Sequence, residues 1–400
     1  MTLVRFGLAL FALCLFAGGT GAREERDESF STAAGFALIK DFDTGSVLFA
    51  KNADDPVPPA STAKLMTAEV VFHELKEGRL KLDDIFDVSE HAWRDGGAHA
   101  HGAATFLALH SHVRVEDLLR GLIIQSGNDA AIALAEGIAG TEEKFAEMMN
   151  RRAAELGMAK SHFANARGKF DPSQRVTPRD MALLAEHVIR GYPEYYHYFG
   201  EKEFTWNRIR QLNRNPLLSM DLGADGLKAA DAADGGFGLV GTAVQDGQRL
   251  ILVINGLNSA SERTEEARKL FNYGFHGFDH RVVFPAGATV GAASVYGGSS
   301  DQVALVSERP IVLFAPRGES DKLLAKIVYT GPLAAPVEAG REAARLKIWR
   351  SDMLVVDEPL KTGEAVPLGG ITQRAFDASL ELAGDAVRQA LKGQWAHKTP

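Results

Sequence analysis

The 400-residue sequence contains a single cysteine, Cys14. It lies inside an apolar stretch, Phe6–Phe16, close to the N-terminus. If that stretch is removed on export, the mature protein has no thiol, which excludes disulfides, cysteine nucleophiles and cysteine-ligated metal sites. A lipoprotein site requires a small residue directly before the cysteine, and Leu13 stands there instead.

An excess of positive charge is also missing. Lysine and arginine number 44 against 52 aspartates and glutamates, which gives a formal net charge of −8. A nucleic-acid-binding protein would carry a basic stripe, and no run rich in lysine or arginine is present. The sequence therefore predicts no nucleic-acid partner. Its hydrophobic fraction of 46% is typical of a globular protein, and its length suits two domains.

The N-terminal apolar stretch is too short to span a bilayer. It follows the positively charged Arg5 and precedes the small residues Ala17–Ala22, with Thr20 and Ala22 at positions suited to cleavage. A positive start, a short apolar segment and a cleavage site of small residues together predict a secretory signal peptide over residues 1–22. We therefore expect an exported protein.

Between the signal peptide and about residue 277, strand patterns flank a long helical region. Two apolar runs around the turn residues Asp43-Thr44-Gly45 predict a hairpin. The stretch from about Ala60 to Gly191 is rich in alanine and has apolar positions at helical spacing. Two further strands joined by a turn, and then one helix, are expected over Phe237–Val244, Arg249–Asn255 and Thr264–Phe271.

From Phe278 to about Gly370, short apolar runs separated by Gly/Pro turns predict a small β-rich domain. If the tail, 371–400, is helical, five apolar residues lie on one face of the helix: Phe376, Leu380, Ala383, Val387 and Leu391. With Trp395 at the interface, this tail fits contact with a membrane surface. It also fits a helix packed on its own domain. The expected domains are thus 30–277, 278–370 and the tail.

Ser61 and Lys64 form the only Ser-x-x-Lys pattern of the chain. A spacing of three places both side chains on one face if a helix begins here. A serine hydroxyl is a weak nucleophile by itself, and a neutral amine nearby could take its proton. Burial or a neighbouring cation could keep the amine neutral. By itself the pattern is also compatible with an ordinary surface helix start.

A second pattern, Ser126-Gly127-Asn128, is the only Ser-x-Asn of the chain and follows Ser61 by about sixty residues. Serine and asparagine both favour helix N-caps, so a loop before a helix at Ala130 is the plain structural interpretation. In a catalytic interpretation, Ser126 passes protons and Asn128 holds a substrate amide. A third element, Gly226-Leu227-Lys228, precedes a predicted strand; Lys228 could attract a substrate carboxylate or be a solvated edge-strand lysine.

These three patterns, in this order, resemble the D-alanyl-D-alanine carboxypeptidases among the low-molecular-mass penicillin-binding proteins, which are serine peptidases related to β-lactamases. The likeness runs from about Phe30 to Gly277 and extends to three further strings: Val115–Gly121, Arg214–Leu218 and Thr264–Leu270. It implies an α+β fold in which a β-lactamase/transpeptidase-like domain, an antiparallel sheet with helices and a helical lobe, precedes the β-rich domain and the amphipathic C-terminal helix.

The resemblance implies that Ser61 attacks peptidoglycan stem peptides ending in D-Ala–D-Ala, that Lys64 is the general base, and that β-lactams acylate Ser61 as substrate mimics. It places the protein in the periplasm, with no metal or organic cofactor. Backbone N–H groups of Ser61 and Asp231 would stabilise the oxyanion. Lys228 would direct positive charge towards the substrate C-terminus, and Arg263 would help to hold its carboxylate.

The lysine–threonine–glycine signature of the family reads Lys228-Ala229-Ala230 here, and Asp231 replaces the usual histidine. Ala229 lacks a hydroxyl that would bind the substrate carboxylate, Ala230 adds a methyl group, and the Asp231 carboxylate would repel both oxyanion and substrate carboxylate. We therefore expect altered or weakened carboxylate recognition. The alternative is a catalytically impaired relative that binds peptidoglycan or acts as a scaffold.

Two other features have plainer interpretations. Lys361-Thr362-Gly363 reproduces the missing signature, but it lies in the β-rich region and is interpreted as a turn. His99 and His101 lack a nearby acidic or third histidine ligand, so we expect a solvated loop over the cleft and not a metal site. A β-lactamase is disfavoured because no deacylating glutamate stands in the expected loop.

Overall fold

The computed structural model describes residues 30–231, 236–317, 322–372 and 374–375. The predicted signal peptide and the helix predicted over 376–391 lie outside the described residues. Those described fall into two compact units, one holding 30–43 with 47–278 and the other holding 44–46 with the residues from 279 onward. No helix in this described part has the length and apolar character needed to cross a membrane.

In the described residues, the first unit contains a five-stranded antiparallel sheet and two small two-stranded sheets, of which β5–β6 is a hairpin. Its strands are β1 (Phe36–Asp41), β2 (Val47–Lys51), β3 (Ile85–Asp87), β4 (His112–Arg114), β5 (Glu203–Trp206), β6 (Ile209–Leu212), β7 (Ala224–Ala230), β8 (Phe237–Gln245) and β9 (Gln248–Leu257). The large sheet has the order β2-β1-β9-β8-β7, so β7 is an edge strand. The hairpin predicted around Asp43-Thr44-Gly45 and the β8–β9 pair are confirmed.

Within the part of the chain that the structure describes, seven α-helices accompany this sheet: α1 (Lys64–Lys76), α2 (Val115–Arg120), α3 (Asn128–Ala139), α4 (Glu142–Glu155), α5 (Pro178–Gly191), α6 (Pro193–Tyr196) and α7 (Ala260–His276). The predicted helical character of the stretch from Ala60 to Gly191 is confirmed. Several starts follow from capping side chains: Thr141, Thr177 and Ser259 each accept a hydrogen bond from a backbone N–H of the first turn.

Helices α5 and α7 both contact β9, whose central residues Leu250–Ile254 are fully buried. Burial on both faces explains why this strand is a continuous apolar run. The predicted end of α7 before Gly274 is wrong, because the helix continues to His276. Gly274 allows close packing instead: a Cβ there would lie 2.6 Å from Leu250 Cδ1.

The second unit is built from β-strands with a core of aliphatic side chains. The strands are β10 (Phe278–Phe284), β11 (Thr289–Tyr296), β12 (Gln302–Val306), β13 (Ile311–Pro316), β14 (Leu323–Tyr329), β15 (Leu333–Ala334), β16 (Glu342–Arg350) and β17 (Met353–Thr362). The predicted β-rich character is confirmed. The prediction of a turn at Lys361-Thr362-Gly363 is wrong for its first two residues, which end β17 and pair with β12.

Candidate active site

Ser61 lies in a single 3₁₀ turn, Ala60–Ala63, that runs directly into α1. Ala60 has φ +47°, a left-handed conformation that is uncommon for a residue with a Cβ atom. Gly168 packs against this point so closely that a Cβ there would lie 2.0 Å from the Ala60 carbonyl oxygen. The backbone before Ser61 is therefore held in a tight, strained arrangement, as is frequent at functional sites.

Lys64 is the first residue of α1, and its side chain points inward with only 1% of the residue exposed. Its Nζ lies 3.4 Å from the Ser61 Oγ and donates a hydrogen bond of 2.5 Å to the Arg167 carbonyl. Burial, followed by the charges of Arg167 and Arg214, lowers the pKa of the Lys64 ammonium to about 7. Near neutral pH, a large fraction of this amine is therefore unprotonated beside a partly exposed serine hydroxyl.

The carbonyl that receives the Lys64 hydrogen bond is fixed by its own surroundings. The Arg167 guanidinium donates to the Asp95 carbonyl at 2.7 Å and lies 3.5 Å from a carboxylate oxygen of Glu142. Glu142 also accepts the backbone N–H of Ala166, whose carbonyl receives the Thr67 hydroxyl. Residues 166 and 167 are therefore anchored through backbone and side-chain bonds. This fixes the carbonyl that Lys64 contacts and so restricts the movement of the Lys64 side chain.

Ser126 follows a turn of π-helix, Gly121–Gln125, that contacts α1. Its φ of +64° is left-handed, and its Oγ is buried without a hydrogen-bond partner among the described residues. The N-cap interpretation is wrong, because α3 begins at Asn128 and its N-cap position is Gly127. A buried, unpaired hydroxyl is costly for stability and requires another explanation, such as a catalytic role.

Asn128 follows Ser126 by two residues and is the first residue of α3. Its backbone N–H donates to the Ala103 carbonyl at 2.8 Å, and its side-chain amide lies beside Gly102, where a Cβ would come within 2.7 Å of Nδ2. The loop that carries Gly102 is further held by the buried Asp129, whose carboxylate accepts the N–H groups of Thr105 and Leu107. Sequence reasoning did not single out Asp129.

Lys228 projects from the edge strand β7 but is only 3% exposed, so the solvated edge-strand interpretation is wrong. Its Nζ donates to the carbonyls of Leu122 and Ile123 at 3.0 and 2.9 Å. These bonds tie β7 to the π-helical turn before Ser126, and β7 also contacts the turn that carries Ser61. Burial, then the charge of Lys64, moves the pKa of the Lys228 ammonium well below its ordinary value.

Ala229 and Ala230 complete β7 in regular pairing with β8, opposite Leu239 and Gly238. Both methyl groups are buried. The extra methyl of Ala230 is therefore accommodated within the sheet. No hydroxyl accompanies Lys228 at position 229, as the sequence indicated.

Asp231 and Arg263, which the sequence assigned to opposite effects, bind one another. Arg263 projects from α7, is 4% exposed, and donates through Nη1 to the Ala230 carbonyl and to Oδ1 of Asp231. The Asp231 side chain is 49% exposed. The carboxylate that was expected to repel substrate is thus bound to the cation that was expected to attract it.

Arg214 belongs to the string Arg214–Leu218 that resembles the family, and the sequence assigned it no role of its own. Its positive charge nevertheless acts on both lysines of the site. It is exposed, and its backbone N–H donates to the Ile124 carbonyl at 3.0 Å. Its charge lowers the pKa of both Lys64 and Lys228. No spacing rule identifies such a residue, because it reaches the site from the segment before β7.

The histidines near the site do not form a metal-binding group. The His99 ring lies 4.6 Å from the Trp93 ring in an edge-on contact, and both His99 and His101 are exposed. Across the described parts of the chain, no group of three or more His, Cys, Asp or Glu side chains has an arrangement suited to a metal ion.

Two family models match the chain. Residues 22–259 match the D-alanyl-D-alanine carboxypeptidase model. The chain belongs to this family. Residues 278–368 match the C-terminal domain of penicillin-binding protein 5. The predicted family, its serine-type D-Ala–D-Ala carboxypeptidase class and the expected order of an α+β domain before a β-rich domain are therefore confirmed.

Individual relatives agree with the family match. The D-alanyl-D-alanine carboxypeptidase DacC of Escherichia coli strain K12 is 38% identical over 91% of this chain and 92% of its own length. DacD of the same strain is 37% identical over 86% and 89%.

Solved structures show the same likeness. Penicillin-binding protein 5 of Haemophilus influenzae has a TM-score of 0.70 at 32% identity, covering 88% of this chain and all of that chain. An ampicillin-bound penicillin-binding protein D2 of Listeria monocytogenes has a TM-score of 0.53 at 28% identity, covering 61% of this chain and 98% of that chain.

Proposed function

We propose that this protein removes the terminal D-alanine of peptidoglycan stem peptides through an acyl-enzyme on Ser61, with Lys64 as general base. The observation that carries the proposal is the buried Lys64 amine, 3.4 Å from the Ser61 hydroxyl. A buried amine near neutrality is suited to accept the hydroxyl proton during attack. The domain assigned to residues 30–277 would carry the reaction.

The reaction begins when Ser61 Oγ attacks the carbonyl carbon of the scissile bond and Lys64 takes the hydroxyl proton. Backbone N–H groups of Ser61 and Asp231 would stabilise the negative oxygen that forms. The carbon–nitrogen bond then breaks, and the leaving D-alanine amine receives the proton through Ser126. Water next attacks the Ser61 ester, Lys64 accepts its proton, and the ester oxygen of Ser61 recovers one as the shortened peptide leaves.

The unpaired hydroxyl of Ser126 supports its assignment to proton transfer, since a bound substrate would provide the missing partner. Asn128 would donate its side-chain amide to the peptide backbone of the substrate. Lys228 would fix the turn before Ser126 through its two carbonyl bonds and direct positive charge towards the substrate C-terminus, together with Arg214.

Carboxylate recognition is proposed to be altered or weaker than in a chain with threonine at position 229. A hydrogen bond to a charged group contributes about 1.5–3 kcal/mol, or roughly ten- to hundred-fold in rate or affinity, and Ala229 removes one such donor. Pairing of Arg263 with Asp231 also weakens recognition of the substrate carboxylate. That pairing also favours the alternative function, a peptidoglycan-binding or scaffolding protein with little hydrolytic activity.

Labelling and product release separate the two functions. The mature protein is incubated with a fluorescent penicillin, and D-alanine release from a stem pentapeptide is measured in parallel, with Ser61→Ala as the control. The enzyme assignment predicts labelling that Ser61→Ala abolishes, together with D-alanine release. Absence of both labelling and release from a folded protein would overturn it in favour of the scaffold.

Export to the periplasm, with the tail in peripheral contact with the inner membrane, is part of the proposal. It rests on the signal-like N-terminus and on the amphipathic pattern over 376–391. Cell fractionation of the full chain and of a chain ending at residue 370 tests it. Both proteins should be exported, and only the full chain should sediment with membranes.

A further inference from the structure

We infer that Asp231 is a built-in carboxylate that occupies the cationic end of this site, so that the enzyme favours acyl peptides whose leaving group carries a carboxamide or an amine and releases D-alanine, which carries a free carboxylate, more slowly. The inference rests on the proposed function, which places the leaving group beside residues 228–231. It goes further by naming the chemical class of that group.

The first support is that Nη1 of the Arg263 guanidinium is already bound within the protein, although Nε is buried without a hydrogen-bond partner among the described residues. Its side chain is almost wholly buried, and Nη1 is shared between the Ala230 carbonyl and Asp231 Oδ1. A buried arginine with both partners in place has little freedom to turn towards a ligand. A substrate carboxylate would have to displace Asp231, leaving the aspartate charge without its partner in a partly desolvated place.

The second support concerns the other groups that could bind a substrate carboxylate, which are already bound or are missing. Lys228 Nζ already donates to two backbone carbonyls, and Ala229 offers no hydroxyl. Arg214 is the exposed cation in this region whose charge is felt at both site lysines. An entering carboxylate would therefore meet the negative charge of Asp231, and like charges at short range repel.

The third support is the free acceptor that Asp231 presents. Oδ1 faces Arg263, whereas Oδ2 has no hydrogen bond or ion pair within the described residues, and the side chain is about half exposed. A carboxylate accepts hydrogen bonds and donates none. It matches the N–H donors of a terminal carboxamide or of an ammonium group, and it rejects a second carboxylate.

A purely structural ion pair would produce the same contact without affecting selectivity. Asp225 on β7 and Arg249 on β9 provide such a pair, with Oδ2 and Nη2 2.7 Å apart. Asp225→Asn is thus a matched control for Asp231→Asn, because each removes one negative charge from a β7 ion pair and keeps an acceptor oxygen.

The test compares two substrates that differ in one group, an acylated tripeptide ending in D-Ala–D-Ala and the same peptide ending in D-alaninamide. Release of D-alanine and of D-alaninamide is followed by chromatography with the mature protein. We expect kcat/KM for the amide to exceed that for the acid by about tenfold or more, because a like charge close to the leaving group disfavours the acid. Asp231→Asn should reduce or reverse this ratio, whereas Asp225→Asn should preserve it.

Faster hydrolysis of the acid by the unmodified protein overturns the inference without any variant, so a folding defect in Asp231→Asn cannot rescue it. An amide preference that survives Asp231→Asn overturns the role of Asp231. Labelling of Ser61 by an uncharged thioester, which has no carboxylate for the site to reject, distinguishes these failures from failure of the proposed function in the same preparations. If labelling is absent, calorimetry with Ser61→Ala decides: tighter binding of the acid than of the amide contradicts the inference, and the opposite order supports it.

Discussion

The two sides of the candidate site differ in how completely their polar groups are satisfied. On the helical side, Ser126 Oγ is buried without a partner, and Lys64 holds a long contact to Ser61. On the strand side, Lys228 donates to two carbonyls, and Arg263 binds Asp231. The first side keeps a hydroxyl available to a ligand, whereas on the second side Lys228 Nζ and Arg263 Nη1 already have partners within the protein and only Arg263 Nε lacks one among the described residues.

This difference indicates that the chemical step and the choice of substrate have separate structural bases here. Acylation requires a hydroxyl, a neutral amine and an oxyanion site, and the helical side and backbone supply them. Carboxylate binding requires free cations and hydroxyl donors, which the strand side has largely lost or neutralised. Substitutions on the helical side should therefore change the chemical step, and those on the strand side should change the preference for substrate.

The largest effect is expected from Lys64→Met, which keeps a long buried side chain and removes the base. Acylation of Ser61 by a fluorescent penicillin should slow by about 10²–10⁴-fold, the usual contribution of a positioned general base. Stopped-flow fluorescence measures the rate, with Lys76→Met at the other end of α1 as control. A rate for Lys64→Met within threefold of the control would remove the lysine from the chemistry.

The pH dependence of acylation should follow the protonation of Lys64. Its pKa is lowered to about 7, mainly by burial. The amine acts as a base only when neutral, so kcat/KM should fall about tenfold for each pH unit below 7 and reach a plateau above it. Rates measured from about pH 5 to 9 check this, and a rate that increases on acidification would contradict it.

Ala229→Thr should sharpen the contrast between the two sides. The restored hydroxyl should increase D-alanine release about tenfold by binding the terminal carboxylate. Acylation by an uncharged thioester substrate should change little, because it has no carboxylate to bind. Comparison of the two substrates in steady-state assays tests this; equal gains on both would show that the hydroxyl acts on the chemical step instead.

The substitution Glu142→Gln is expected to have the smallest effect, which is a shift of the pH dependence of acylation in one direction. The Glu142 carboxylate raises the pKa of Lys64 against the larger effect of burial. Removal of its charge should therefore move the acid limb of the pH–rate profile to lower pH. A shift to higher pH would contradict this electrostatic assignment, and a melting curve checks that the fold is retained.

The serine motifs could be predicted from the sequence because their spacing fixes their geometry. A separation of three residues at a helix start brings Lys64 to Ser61 whatever the distant fold does. The burial of Lys228 could not be predicted in this way, because an edge-strand lysine normally faces solvent. It is buried here because the turn before Ser126 covers it.

The Asp231–Arg263 pair was also beyond prediction from local patterns. The two residues lie 32 positions apart, on the end of β7 and on α7, and only the packing of that helix beside the sheet brings them together. Gly274 is a similar case: glycine near a helix end favours termination, yet close contact with Leu250 gives it a different role.

The most direct test of the central claim is a titration of the Lys64 amine itself. NMR of the mature protein with isotope-labelled lysine, assigned with Lys64→Met, reports the protonation of Nζ as pH is varied. The account predicts a midpoint close to 7, well below that of an ordinary lysine. A midpoint near 10 would mean that Lys64 is a fixed cation at neutral pH, and the general-base assignment would then be wrong.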